Sequence, residues 1–288
     1  MTNIIDYASK PPTRPFNPPQ TGHLENYRRV YQASESRVPK PQDEQTALAE
    51  YLQAYETVGA SHVVVKARDN ETTFGLKIRN EDVAAFCRQH GPRFVGFAGV
   101  DPNKGMAAVR ELETAVRELG LRGLNLQCFE LKLAINDKRM YPLYAKCVEL
   151  DIPVNLHCGI NFSTASQMDY GRPAYLDEVM LHFPELRVCA SPPGWPWIEE
   201  LIAVAWRHPN VHIGVVAVRP KLLGMEDSGY RPLLTYGTKL LQDRILTGTS
   251  FPMQPVQQAY AEFDALPIPD AVRRKWMHDN AVRFLGLA

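Results

Sequence analysis

Four side chains capable of acid–base chemistry or of stabilising negative charge stand at the ends of apolar runs in this sequence. His157 ends the run "PVNLH", Asp6 and Lys10 lie in the opening stretch "IIDYASK", and Ser250 ends "RILTGTS". A histidine can move a proton near neutral pH, and an ammonium or a hydroxyl group can stabilise an oxyanion. These residues predict acid–base chemistry on a small molecule, with His157 moving the proton and the other three holding developing negative charge.

Each of these four residues also has a structural interpretation that the sequence leaves open. His157 would be a core imidazole bonded to backbone, Lys10 a solvent-exposed lysine, and Asp6 a strand-end carboxylate that satisfies a turn. The order of the residues does not establish a Ser-His-Asp nucleophile that uses Ser250. Cys158 adjoins His157, but successive strand residues point to opposite faces, so the two are not expected to act as a pair.

Eight short apolar runs alternate with amphipathic helical stretches along the chain. The runs cover residues 4–8, 62–67, 93–100, 122–128, 153–159, 186–191, 211–218 and 244–250. Continuous apolar strands separated by helices are typical of parallel strands buried on both faces. The pattern predicts an α/β fold, a single-domain (β/α)8 TIM barrel over residues 1–288, with a Pro-rich excursion over residues 11–42. An open doubly wound sheet is the alternative, but no Gly-rich phosphate-binding stretch follows the first run.

Chemistry in such a barrel occurs at the carboxyl ends of the strands, where the four residues above stand. The loops after those ends shape the substrate pocket, and aromatic side chains there suit a flat or apolar ligand. The residues expected to bind substrate are Gln127, Asn161, Phe162, Ser191, Trp195 and Phe251. Lys66 also ends a strand, but the stretch "KARDN" is expected to open a surface loop.

The composition excludes several classes of partner. The chain has 32 basic and 32 acidic residues, so its balanced charge does not favour nucleic acid or an anionic membrane. The N-terminus lacks the pattern of a signal peptide, and no apolar run is long enough to cross a bilayer. The five cysteines include no C-x-x-C pair, as expected of reduced and buried thiols. We therefore expect a cytoplasmic protein that acts on a small-molecule substrate.

Several segments are similar to the amidohydrolase superfamily, in particular to its branch of aromatic-acid decarboxylases and related hydrolases. They include "RFVGFAGVDPNKGMAAVRELE", "YPLYAKCVELDIPVNLHCGIN", "YLDEVMLHFPEL" and "RILTGTSFP", and such segments run in order over nearly the whole chain. The resemblance implies a metal-binding barrel, an activity as a decarboxylase or hydrolase, and a homodimer.

Most of the metal ligands that this resemblance implies are replaced. The superfamily carries D-x-H-x-H after its first strand, and this chain has Ala8 and Lys10 in place of the two histidines. His157 is retained, but Pro192 stands where the sixth strand supplies a histidine and Ser250 where the eighth supplies an aspartate. Because zinc needs three or four converging ligands, no metal and no other cofactor is expected. Lys10 would instead bring a fixed positive charge to the place of the cation.

Three functions remain open at this point. The first is a metal-independent acid–base enzyme, a lyase or decarboxylase, a cyclase or a hydrolase, that acts on a small aromatic or carbonyl-bearing molecule. The second is a catalytically inactive barrel that binds a small molecule or a partner protein. The third is a metal enzyme with a relocated site built from His157, Asp6 and a residue that the sequence does not identify. The retained histidine and the new lysine favour the first.

Overall fold

The computed structural model describes residues 3–19, 22–33 and 43–287, so residues 20, 21 and 34–42 of the predicted excursion lie outside the described residues. The strands are β1 Ile4–Ser9, β2 Ala60–Lys66, β3 Arg68–Asn70, β4 Leu76–Ile78, β5 Phe94–Gly99, β6 Leu124–Leu126, β7 Val154–His157, β8 Val188–Ser191, β9 Val211–Val215 and β10 Ile245–Thr247. Eight of them form one parallel sheet in the order β1-β2-β5-β6-β7-β8-β9-β10. The predicted single-domain TIM barrel is confirmed.

Helices follow the barrel strands along the chain, as the alternating pattern of the sequence predicts. They are α1 Glu25–Ala33, α2 Glu44–Thr57, α3 Glu71–Phe74, α4 Asn80–His90, α5 Met106–Arg117, α6 Cys128–Leu131, α7 Tyr141–Glu149, α8 Ala174–His182, α9 Ile198–Arg207, α10 Lys221–Gly224, α11 Arg231–Gly237, α12 Val256–Asp264, α13 Asp270–Arg274 and α14 Asn280–Leu285. Asp43 caps α2 by accepting a hydrogen bond from Thr46 N at 2.8 Å. Among the described residues, no helix is both long and apolar enough to span a membrane.

Apolar side chains fill the amino-terminal half of the barrel interior. The Tyr7 ring meets the rings of Phe97 and Phe284 edge-on, with centroid distances of 6.0 and 5.7 Å. Phe284 belongs to α14, which packs with its neighbours Ala281 and Leu285 against the inward-facing strand residues. This packing fills the barrel interior on the side where α14 lies.

The barrel closes between β1 and the segment that follows β10. Ser250 N donates to Ala8 O at 2.7 Å, and Lys10 N donates to Phe251 O at 3.0 Å. Ser9 and Phe251 form a parallel bridge. We call this region the β1–β10 seam.

Several strands end earlier than the sequence predicts, and the difference is largest for β9 and β10. The apolar runs 211–218 and 244–250 continue beyond the ends of β9 and β10. Ala217 and Ser250 have φ angles of 58° and 51°, in the left-handed region that a strand cannot contain. The runs therefore leave the sheet and turn across the mouth of the barrel.

A β-hairpin that the sequence analysis did not predict follows β2. Strands β3 and β4 pair antiparallel, with Asp69 opposite Lys77, and α3 forms their connection. The expectation that Lys66 opens a surface loop is therefore wrong. The chain continues into a structured hairpin, and the Lys66 side chain turns into the barrel.

The described part of the Pro-rich excursion packs over the carboxyl end of the barrel. His23 stacks on Phe74 of the hairpin segment with 3.8 Å between ring centroids. The Tyr27 ring lies 5.9 Å from Phe129 and 5.7 Å from Phe162, which belong to the segments after β6 and β7. Helix α1 thus covers part of the mouth with aromatic contacts.

Candidate functional site

A layer of polar side chains crosses the barrel interior just below its mouth. Asn155 Oδ1 accepts hydrogen bonds from Lys66 Nζ at 3.0 Å and from Ser191 Oγ at 2.8 Å. Asn125 Oδ1 accepts from Asn155 Nδ2 at 2.9 Å and from Gln127 Nε2 at 3.0 Å. The five residues come from β2, β6, β7 and β8 and from the residue that follows β6. We call them the polar layer.

Lys66 brings a positive charge into this layer without a carboxylate partner. Its Nζ lies 4.3 Å from the centre of the Tyr7 ring, on the apolar floor described above. Within residues 3–19, 22–33 and 43–287 it forms one hydrogen bond, to neutral Asn155, and no salt bridge. Burial lowers the pKa of Lys66 to about 8. At neutral pH the group is therefore mostly an ammonium, with two N–H donors left for a ligand.

His157 lies one strand repeat above Asn155 and on the same face of β7, because residues i and i+2 of a strand point the same way. Its Nδ1 is buried and has no hydrogen-bond partner in the described part of the chain. The Phe129 ring packs against the imidazole at 4.7 Å between centroids. Burial lowers the pKa of His157 to about 4, against the opposing effect of Glu130. The imidazole is thus neutral at pH 7 and able to accept a proton.

Gly171 allows the loop after β7 to fold back on His157. A Cβ atom at this position would lie 2.7 Å from Gly159 O and 3.1 Å from His157 Nδ1, closer than side-chain carbons tolerate. The loop is held there by a hydrogen bond of 2.7 Å from Gly159 N to Gly171 O. The backbone of the loop after β7 therefore packs directly against the His157 imidazole.

Glu130 forms a buried charged cluster beside the mouth. His23 Nε2 lies 2.9 Å from Glu130 Oε1, while Arg68 Nη1 and Asn70 Nδ2 lie 3.2 and 2.8 Å from Oε2. Burial alone would raise the pKa of Glu130, but the charge of Arg68 and the bond to His23 outweigh it and hold the pKa below its usual range. The ionised carboxylate ties the excursion to the hairpin and to α6.

Asp6, predicted to take part in catalysis, forms no hydrogen bond to the polar layer among the described residues, although its charge partly opposes the lowering of the Lys66 pKa. Its Oδ2 accepts hydrogen bonds from Tyr55 OH at 3.0 Å and from Thr249 Oγ1 at 2.8 Å, and its Oδ1 accepts one from Ala8 N at 3.0 Å. Tyr55 belongs to α2, outside the barrel, so the carboxyl group points outward. Burial raises the pKa of Asp6 to about 6 in spite of these bonds. Its contacts indicate a role in holding the β1–β10 seam.

Three further predicted residues lie at the same seam. The backbones of Lys10, Ser250 and Phe251 form the hydrogen bonds that close the barrel. The Phe251 ring packs at 5.1 Å from Tyr51 of α2. Their predicted roles in holding charge or substrate stay predictions.

The structure brings Gln127 and Ser191, two of the six predicted substrate-binding residues, into the polar layer, and Ser191 pairs with His157 in the register of β7 and β8. Phe251 lies at the seam, and the remaining three have different surroundings. Asn161 donates to the carbonyl of a residue six positions on in its own loop, at 2.8 Å. Phe162 contacts the excursion, as described above, and Trp195 is 37% exposed. A direct role for these three in binding stays a prediction.

The residues present do not fit the metal site that the resemblance implies. Four of the five matched positions hold Ala8, Lys10, Pro192 and Ser250. Within the described ranges, no three His, Cys, Asp or Glu side chains are grouped so that they could hold a metal ion. The Lys66 ammonium lies in the polar layer instead, and an ammonium has no lone pair to offer a metal.

Sequence reasoning set Lys66 aside as the start of a surface loop and missed three other residues of this region. They are Asn125, Asn155 and Glu130. The asparagines carried a signal, because "NLQ" and "NLH" place polar residues at alternating positions inside otherwise apolar strands. Alternation of that kind marks the inner face of a barrel, where a polar layer must be satisfied internally.

Three comparisons with known proteins bear on this site. A family model described as "Amidohydrolase" matches residues 25–287. The gamma-resorcylate decarboxylase of Rhodococcus jostii (strain RHA1) is 25% identical over 251 residues, which cover 72% of this chain and 75% of that protein. An uncharacterized TIM-barrel protein from Bordetella bronchiseptica superposes with a TM-score of 0.83 at 28% identity, covering 99% and 98% of the two chains. A dihydroxybenzoic acid decarboxylase from Polaromonas sp. JS666, solved with bound manganese, has a TM-score of 0.65 at 17% identity, covering 100% and 98%.

Proposed function

The chain belongs to the amidohydrolase family, and we propose that it is an acid–base enzyme of that family that works without a metal ion. Its proposed substrate is a small aromatic or carbonyl-bearing acid, and its proposed reaction is decarboxylation or a related lyase or hydrolase step. The sequence relative with a stated activity is a decarboxylase, which supports an enzyme and favours decarboxylation among these reactions.

The single observation that carries the proposal is the Lys66 ammonium, which is partly buried in the polar layer and has no carboxylate within salt-bridge distance among the described residues. Enclosing a cation costs several kcal/mol unless an opposite charge or hydrogen bonds compensate it. The described residues around Lys66 supply only one neutral acceptor, Asn155. A substrate carboxylate or a developing oxyanion would supply the missing negative charge and accept the two remaining N–H donors.

His157 is proposed to move the proton. In a decarboxylation the bond from a ring carbon to the carboxylate breaks, the electron pair stays on that carbon, the carbon takes a proton, and CO2 leaves. A neutral imidazole can take a proton from a substrate hydroxyl or from water and deliver it to the carbon. Ser191, which donates to the same Asn155 oxygen as Lys66, and Gln127, which donates to Asn125 in the same polar layer, are proposed to hydrogen-bond the substrate.

Turnover of a small panel of acids tests the function. Chelator-treated protein is incubated with gamma-resorcylate, other dihydroxybenzoates and benzoate, and CO2 and the decarboxylated product are quantified. Release of both in equal amounts from a hydroxybenzoate supports the proposal. Binding of these acids without turnover would favour the inactive, small-molecule-binding barrel instead.

The pH dependence of kcat/KM follows from the lowered pKa values of His157 and Lys66. We expect activity to rise through about pH 4, as the His157 imidazolium loses its proton, and to fall through about pH 8, as the Lys66 ammonium loses its charge. Initial rates between pH 3 and 10, measured at substrate concentrations well below KM, check both limbs. Activity that stays level up to pH 10 would contradict the role given to Lys66.

A further inference from the structure

Asn155 is the centre of the polar layer. Its Oδ1 accepts from both Lys66 and Ser191, and its Nδ2 donates to Asn125 Oδ1. Asn125 Nδ2 in turn donates to Ala67 O at 2.9 Å, which fixes the orientation of the Asn125 amide. The Ala67 carbonyl accepts from the Asn125 NH2 group, so the Asn125 oxygen must accept from the Asn155 NH2 group. The Asn155 oxygen therefore faces Lys66.

We propose that Asn155 is a positioning residue that holds the Lys66 ammonium in the barrel mouth and keeps it available to an anion. This inference rests on the proposed function, in which Lys66 meets the negative charge of the substrate. Asn155 satisfies one of the three ammonium N–H groups and leaves two for a ligand. Its amide carries no charge, so it orients Lys66 without neutralising it.

The choice of an amide over a carboxylate at this position matters for binding. Asparagine and aspartate have nearly the same shape, and an aspartate would also accept from Lys66 and Ser191. It would, however, form a buried ion pair with Lys66 and compete with any anionic substrate. It would also face the amide oxygen of Asn125, which Asn155 now meets with its NH2 group. The polar layer is therefore built around a neutral residue at its centre.

The variant Asn155→Asp tests the inference through the protonation of Lys66. The protein is labelled with ε-13C lysine, and the NMR signal that disappears in Lys66→Met is assigned to Lys66. We expect Asn155→Asp to raise the titration midpoint of this signal by at least about one pH unit, because a nearby anion favours the ammonium. Asn210→Asp, which adds the same charge just before β9 at the other end of the barrel, should leave the midpoint unchanged. An unchanged midpoint in Asn155→Asp would overturn the inference.

Binding of gamma-resorcylate supplies a second readout. At pH 7 we expect Asn155→Asp to weaken its binding at least about tenfold, while Asn210→Asp binds as the unmodified protein does. Asn155→Leu should also weaken binding, but without raising the Lys66 midpoint, since it removes the acceptor and adds no charge. Unweakened binding in both Asn155 variants would contradict the positioning role. If Lys66→Met itself keeps full binding and turnover, the proposed function fails, and the two failures are thereby distinguished.

Discussion

Replacing Lys66 by methionine is expected to lower kcat/KM by about 10³-fold, which is the size of effect that the loss of one electrostatic stabiliser in a water-poor site produces. The methionine side chain fills nearly the same volume over Tyr7 but brings no charge and no N–H donor. The measurement is the rate of product formation from whichever hydroxybenzoate the protein converts.

The same substitution should not weaken the fold. Removing an enclosed cation that has no carboxylate partner leaves stability unchanged or raises it, so the melting temperature of Lys66→Met should equal or exceed that of the unmodified protein. A loss of activity with retained stability separates a functional lysine from a structural one. Lys239→Met, at an exposed position, is the control for the loss of one lysine.

The sequence analysis predicted that the Lys10 ammonium stabilises negative charge on the substrate, whereas the structure favours Lys66. Variants of the two lysines can be compared directly. The backbone of Lys10 lies at the β1–β10 seam, whereas Lys66 Nζ lies inside the polar layer. We expect Lys66→Met to lose more activity than Lys10→Met. The opposite order would return the charge-stabilising role to Lys10 and contradict the assignment made from the structure.

The second large effect is expected for His157→Gln. Glutamine keeps a polar side chain of similar reach but cannot take up a proton, so kcat should fall by about 10² to 10⁴-fold, as for the loss of a general acid–base group. The rise of activity through about pH 4 should disappear with it.

His212 provides a matched control for that variant. It also stands on a barrel strand, its Nδ1 is also buried without a partner among the described residues, and burial lowers its pKa to about 3. Its ring lies 4.8 Å from Phe284, on the side of the barrel where α14 lies. His212→Gln should therefore keep kcat within about twofold. Equal losses in the two variants would mean that His157 acts through stability alone.

The fold was predictable from the sequence because the parallel strands are buried on both faces. Each then appears as a continuous apolar run, and eight runs with helices between them leave few architectures. The strand ends were less predictable. Ala217 and Ser250 adopt left-handed backbone conformations, and Ser250 N bonds to Ala8 O, which is far away in the sequence and in no local pattern.

The candidate site was predicted only in part, because the direction of a charged side chain at a strand end was not predicted. Lys66 and Asp6 are the two examples. Both are charged residues at strand ends, and the sequence does not indicate whether such a residue points into the barrel or outward. The outward turn of Asp6 depends on Thr249 and Tyr55, which are distant in sequence. Lys66 points inward because it shares a face of β2 with Val64, and Asn155, which is distant in sequence, accepts a hydrogen bond from its ammonium there. His157 was predicted correctly as a barrel-mouth residue because it ends a clear apolar run and matches a histidine of the superfamily pattern.

The central claim is that the Lys66 ammonium stabilises the negative charge of the substrate without a metal ion, although one structure similar in fold was solved with bound manganese. The most direct test measures turnover and metal content in the same sample, after purification in the presence of a chelator and again after addition of manganese or zinc. We predict undiminished turnover with substoichiometric metal and no gain on metal addition. Turnover that is lost with the chelator and restored by one equivalent of either metal would contradict the claim.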